Sequence, residues 1–219
     1  GGDLRALLTL VVVGIFAYMT IGGLLGPARA AIEQATNITL PTSTQGIGDL
    51  VDRALVLSAG FGRIFASWII VLVGLAYCFK DPEFRSSPVH ILSGIAVGLC
   101  AVAGWALTGL AFDDMAERPT QPISLTYVRP SGDALEWLQR FTAAPMPGFG
   151  VATVFGAILG AFVAAKAMGR FRLLTFSDPG DTVRSLLGAA MMGIGGVMAL
   201  GCTVGQGITG VSTLAPGSF

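Results

Sequence analysis

Long stretches without one charged residue are the feature that most limits how this chain can fold. Every residue from Ala6 to Ala28 is uncharged, and so are those between Arg63 and Lys80, from Ile91 to Phe112, between Arg140 and Lys166, and from Ser185 to Phe219. A helix rising about 1.5 Å per residue needs about 20 apolar residues to cross a hydrocarbon core of roughly 30 Å. Backbone groups in that core must be satisfied within the segment, so runs of this length read as helices. Five passes are expected, at 6–28, 54–79, 91–112, 148–166 and 185–202. The second starts near Ala54 because the Arg63–Lys80 gap alone is short for a span; Arg63 is then carried near the helix start, where it can snorkel. Charged residues make up only 12% of the chain, about half the usual ~25% of a soluble domain. The 13 basic and 13 acidic residues cancel. That balance argues against a nucleic-acid binder or a polybasic surface protein, and the hydrophobicity argues against disorder. The expected class is all-α: a polytopic integral membrane helix bundle in a lipid bilayer, with a glycine-rich broken or re-entrant helix near the C-terminus.

Two polar connections, 29–53 and 113–147, separate the passes. The first holds the turn-rich stretch Leu40 to Gly46. Within the second, Leu135, Leu138 and Phe141 recur at helical spacing beside Trp137. This pattern reads as a short packed loop helix, or alternatively as a lid in the membrane interface. Arg5, Lys80, Arg85, Lys166, Arg170, Arg172 and Arg184 concentrate on one side in short loops. That side is expected to be cytoplasmic, with the two long connections facing out. The chain opens Gly1-Gly2-Asp3 and closes Pro216-Gly217-Ser218-Phe219 inside an apolar run. It is read as a fragment lacking sequence at both ends.

Glycine has two uses here. Gly94 with Gly98, and Gly156 with Gly160, form GxxxG pairs that let helix backbones approach closely. The run from Gly201 to Gly210 differs, with four glycines in ten residues and no charge. Each glycine costs about 1 kcal/mol relative to Ala in a continuous helix, yet the stretch is too apolar for an aqueous loop. A break lining a cavity is the physical solution. Backbone N–H groups freed by such a break aim positive partial charge at an entering anion. Cys202, Gly201, Thr203, Gly205, Gln206, Gly207, Thr209 and Gly210 are therefore the candidate path residues. Ser212 and Thr213 add further neutral donors. Neutral donors hold an anion briefly without trapping it, as conduction requires.

The three cysteines, Cys78, Cys100 and Cys202, are widely spaced and odd in number, so no disulfide framework is expected. With a single histidine, His90, neither a metal site nor a cofactor is expected. Cys78 and Cys100 lie in bulky apolar surroundings and read as packing residues. Cys202 alone has glycines and hydroxyls about it, and its thiol is a soft group with a weak S–H donor.

From Gly188 to Gly207, a glycine- and methionine-rich helix runs into Gly-Cys-Thr-x-Gly-x-Gly. In this element the chain resembles the sulphur transport, or YeeE/YedE, family. Arg170-Phe171-Arg172 and the Gly104-Trp105 pair agree with it. The resemblance implies uptake of thiosulfate or a related sulfur species across a bacterial inner membrane. It also implies an all-helical fold of pseudo-symmetric halves, and thiols that pass the substrate by S–H hydrogen bonds. Only Cys202 maps onto such a thiol; the other pathway cysteines belong mainly to an N-terminal half that the chain is expected to lack. A transporter or facilitator, not an enzyme, is the leading expectation. The alternatives are a membrane persulfide carrier, which needs an activated thiolate without any nearby Lys, Arg or His, and a non-catalytic scaffold using the GxxxG faces.

Overall fold

The computed structural model describes residues 2–36, 61–112, 122–143, 146–176 and 178–218. The start of the expected second pass, the turn-rich stretch 40–46 and residues 113–121 of the second connection lie outside the described residues. The fold is all-α. Four described helices are long and apolar enough to cross a bilayer: α1 (Leu4–Ile21), α3 (Phe61–Lys80), α5 (Pro88–Leu110) and α7 (Phe149–Ala167). Between and after them lie α2 (Gly26–Thr36), α4 (Pro82–Ser86), α6 (Val128–Gln139) and α8 (Pro179–Met198). The chain divides into two compact units, residues 1–37 with 126–205, and residues 38–125 with 206–219.

In the first unit, α1 starts on Asp3, whose carboxylate accepts the Arg5 N–H at 3.0 Å and the Arg5 guanidinium at 3.2 Å. Gly2–Asp3 (β1) also pairs in parallel with Leu173–Leu174 (β2). The first apolar run is uncharged to Ala28, yet its helix stops at Ile21, where Gly22-Gly23 comes next. Arg29 of α2 then reaches back to the Thr20 and Ile21 carbonyls at 3.1 and 3.3 Å. These are carbonyls that a helix end leaves unpaired. Val13, Ala17, Val128, Ala189 and Val197 form one core cluster, and Ala134, Val151 and Val154 another.

Helices meet backbone to backbone here. A Cβ on Gly193 would lie 2.6 Å from the Val13 carbonyl oxygen, and one on Gly14 would lie 2.8 Å from that of Ser131. The four GxxxG glycines behave differently: no described atom lies within 4 Å of a Cβ built on Gly94, Gly98, Gly156 or Gly160. The close contacts fall on glycines that no short motif marks. The segment read as part of an outward connection carries α6, whose Val128, Pro130, Ser131, Gly132 and Ala134 are buried. Small residues at 131, 132 and 134 let this helix lie against α1, which a solvated loop helix would not do.

In the second unit, α3 and α5 leave most of their side chains exposed. Ala101, Gly104 and Thr108 of α5 are buried, and Ala101 and Thr108 bond the segment 122–125. The Thr108 hydroxyl takes both main-chain groups of Ile123, donating to its carbonyl at 2.7 Å and accepting its N–H at 3.1 Å. Ser124 donates its hydroxyl to the Ala101 carbonyl at 2.7 Å.

Candidate functional site

The helix that carries the fifth apolar run starts before Ser185. This helix, α8, starts at Pro179, because the Asp178 carboxylate caps the Asp181 N–H at 3.1 Å and Pro179 suits the first turn. It ends at Met198. Two bonds close its last turn, Leu200 N–H to the Val197 carbonyl at 3.0 Å and Gly201 N–H to the Gly196 carbonyl at 2.8 Å. This is the Schellman pattern. The residue that turns left-handed is Leu200, with φ 58°, where a glycine is the usual occupant. A non-glycine residue there costs about 1–2 kcal/mol, so the break rests on strained backbone.

Residues 203–212 are helical again, with a π-type turn at Gly205–Gly210. Cys202 is the residue that caps this helix. The Gly205 amide donates to its sulfur at 3.4 Å, and the Val204 amide is also directed at it. Those are the second and third amides of the new helix, the two that an N-cap side chain ordinarily satisfies. The same sulfur faces the amides of Tyr127 and Val128. They open α6, which no described side chain caps. The thiol thus caps the helix that follows the break and lies near the first amides of α6. Of the amides at the break, that of Gly205 is given to the thiol sulfur. With the Gly205 N–H given to its sulfur, Cys202 has its S–H proton left to offer. The thiol is half-buried and rests against the first core cluster.

The other sequence-derived residues have separate places and partners. Gly201 closes α8, Thr203 is exposed and Gly205 is buried. A Cβ on Gly205 would meet the Thr126 hydroxyl oxygen at 2.8 Å and the Cys202 sulfur at 3.8 Å, so this position makes room for both. In the second unit, Thr209 donates to the Leu125 carbonyl at 2.7 Å, and the Gln206 carboxamide oxygen accepts the Ser218 hydroxyl at 2.6 Å. Ser212 donates to the Thr209 carbonyl at 2.6 Å and accepts the Trp105 indole N–H at 3.1 Å. Thr213 donates to the Gly210 carbonyl at 2.8 Å. Gly207 is exposed, and a Cβ on Gly210 would collide with Ser218 and Gln206. These hydroxyls hold the backbone together. Cys78 and Cys100 are exposed in this chain and not packed among its described residues.

Sequence reasoning missed Thr126, Tyr127 and Val128. Two of them act through main-chain amides, which no residue type announces. The available signal was Pro130, which marks a helix first turn. Among the described residues no cluster of His, Cys, Asp or Glu could hold a metal ion.

A helical membrane protein with a strained helix break, at which a thiol caps the helix that follows, defines the class. The chain belongs to the sulphur transport family, whose profile matches residues 1–219. It is 31% identical over 210 residues to the thiosulfate transporter TsuA of Escherichia coli (strain K12), covering 90% of this chain and 56% of that protein. It is 39% identical over 87 residues to the thiosulfate transporter TsuA of Spirochaeta thermophila, covering 38% of this chain and 26% of that protein. The chain therefore spans about half the length of the first relative and less of the second.

Proposed function

We propose that this protein takes part in uptake of thiosulfate, or a closely related sulfur anion, across a bacterial inner membrane, with Cys202 as a contact on the path. The observation that carries this reading is the Cys202 thiol at the helix break, bonded by the Gly205 amide of the helix it caps, in a chain similar to two thiosulfate transporters. The remaining part of the path is assigned to a further membrane segment, corresponding to the portion of those relatives that this chain does not match. Gly201, Thr203 and Gly205 shape the surroundings of the thiol. Gln206, Gly207, Thr209 and Gly210 shape the helix beyond it.

Transfer of the anion along this path needs no covalent step. The amides polarise the sulfur, and the S–H proton points to the sulfane sulfur of a passing anion. Such a contact is soft and weak, so the anion leaves as readily as it arrives. From Ser185 to Met198 the apolar part of α8 rises roughly 21 Å. With Arg184 at the cytoplasmic interface, the break then lies inside the hydrocarbon layer and short of its far face.

The test is growth on thiosulfate as sole sulfur source, and uptake of labelled thiosulfate, in a bacterium deleted for its own uptake system and producing this chain together with the further membrane segment that completes the path. Cys202→Ala should reduce uptake to background, while Cys78→Ala and Cys100→Ala retain it. Cys202→Ser is the sharper variant, because a hydroxyl oxygen still caps the helix that follows the break. The folded protein should be produced in normal amount and transport little. Wild-type uptake by Cys202→Ser would reduce the thiol to a helix cap and end this reading.

A further inference from the structure

We propose that Thr126 is a specificity-determining residue of this site, its hydroxyl donating to an oxygen of the anion whose sulfur end faces Cys202. The inference rests on the transport reading and adds to it the group that reads the hard end of the substrate. Thr126 precedes the start of α6, and its side chain shares Gly205 with the thiol. The position of a Cβ on Gly205 measures how near: the Thr126 hydroxyl oxygen is 2.8 Å from that point, its own Cβ 3.3 Å, and the Cys202 sulfur 3.8 Å. Hydroxyl and thiol therefore both lie within 4 Å of one point. Only an unsubstituted α-carbon at 205 leaves space for them.

The Thr126 hydroxyl also differs from its counterparts in the C-terminal stretch. Thr209, Ser212, Thr213 and Ser218 each give their proton to a main-chain carbonyl or a carboxamide oxygen. Thr126 is partly exposed, and no described residue takes its proton. A hydroxyl that is neither buried nor engaged, set beside a half-buried thiol, is a donor waiting for an acceptor.

Substrate chemistry supplies the acceptor. Thiosulfate has a large, polarisable sulfur at one end and three hard oxygen acceptors at the other. A thiol alone cannot distinguish it from an anion with a sulfur end and no oxygens. A hydroxyl alone cannot distinguish it from sulfate. The pair requires both ends, and discrimination of this kind is largest where a site group is left unpaired by the wrong ligand.

The experiment compares Thr126→Val, which keeps the shape and removes the donor, with Thr126→Ser, which keeps the donor. Both are measured by initial rates of labelled thiosulfate uptake, with sulfate and sulfide as competitors. Protein amount and thermal midpoint serve as controls. Thr126→Val should raise the apparent KM for thiosulfate about tenfold or more, sharpen competition by sulfide relative to sulfate, and leave the thermal midpoint in place. Thr126→Ser should stay within about threefold of the unsubstituted protein. An unchanged KM and competition pattern in Thr126→Val overturns the inference alone, as does equal impairment of the two variants, which would assign the effect to the methyl group. Absence of thiosulfate uptake by the unsubstituted protein, produced together with the segment that completes the path, overturns the transport reading and this inference together.

Discussion

Helices α1 and α5 are both apolar enough to span a bilayer, and both carry a glycine near mid-length, Gly14 and Gly98. Their surroundings differ completely. Gly14 lies under the Ser131 carbonyl, and the Gly193 position of α8 presses on the Val13 carbonyl of the same helix. Around Gly98 there is open space among the described residues. Hydropathy reports that a helix can enter a membrane; it does not report which face meets protein. Within hydrocarbon, contact between helices comes from close shape rather than from escape from water, so single glycines decide it.

Substitution separates the two helices sharply. Gly193→Leu should have the largest effect, because its side chain would have to displace main-chain atoms of α1. A loss of about 3 kcal/mol or more is expected, seen as a fall of roughly 10 °C in the thermal midpoint of detergent-purified protein. A midpoint equal to that of the unsubstituted protein would remove the contrast. Thr108→Val comes next. It leaves the Ile123 N–H and carbonyl without the hydroxyl that serves both, at a cost of about 2 kcal/mol, while Thr108→Ser should recover most of it. The smallest effect belongs to Gly98→Ala, which should be neutral or stabilising by up to about 1 kcal/mol through helix propensity. A destabilisation as large as that of Gly193→Leu would instead show that another helix covers this part of α5.

Much of the fold was legible because charge is so scarce. Arg5, Lys80 and Lys166 bracket apolar runs, and helices occupy most of each run. The ends were less legible where capping overrides hydropathy: Gly22-Gly23 stops α1 well before the run ends, and Asp178 starts α8 before the last cation. At the site, the glycine density pointed to a break, and one is present between Met198 and Thr203. The residue in the left-handed conformation is nevertheless Leu200, since a Schellman turn is fixed by position relative to the helix end and accepts a costly side chain there. The hydroxyls of Thr209, Ser212 and Thr213 read as free donors in the sequence, but a hydroxyl beside an irregular helix finds a carbonyl first. Thr126 gave no signal of its own, because its proximity to Cys202 is long-range.

Residues 122–125 belong to neither helix nor strand, and Thr108 plays a strand neighbour's part for Ile123 with a single oxygen. That substitution of a side chain for a strand fixes alignment in both directions. A slip that offers Pro122 to Thr108 fails because proline has no N–H to give, and a slip that offers Ser124 forfeits its bond to Ala101. An ordinary sheet edge can slide by a residue and pair again; this one has a single seat. The segment is thereby keyed to α5 like a tooth in a ratchet, and the polypeptide leaves it from a fixed point.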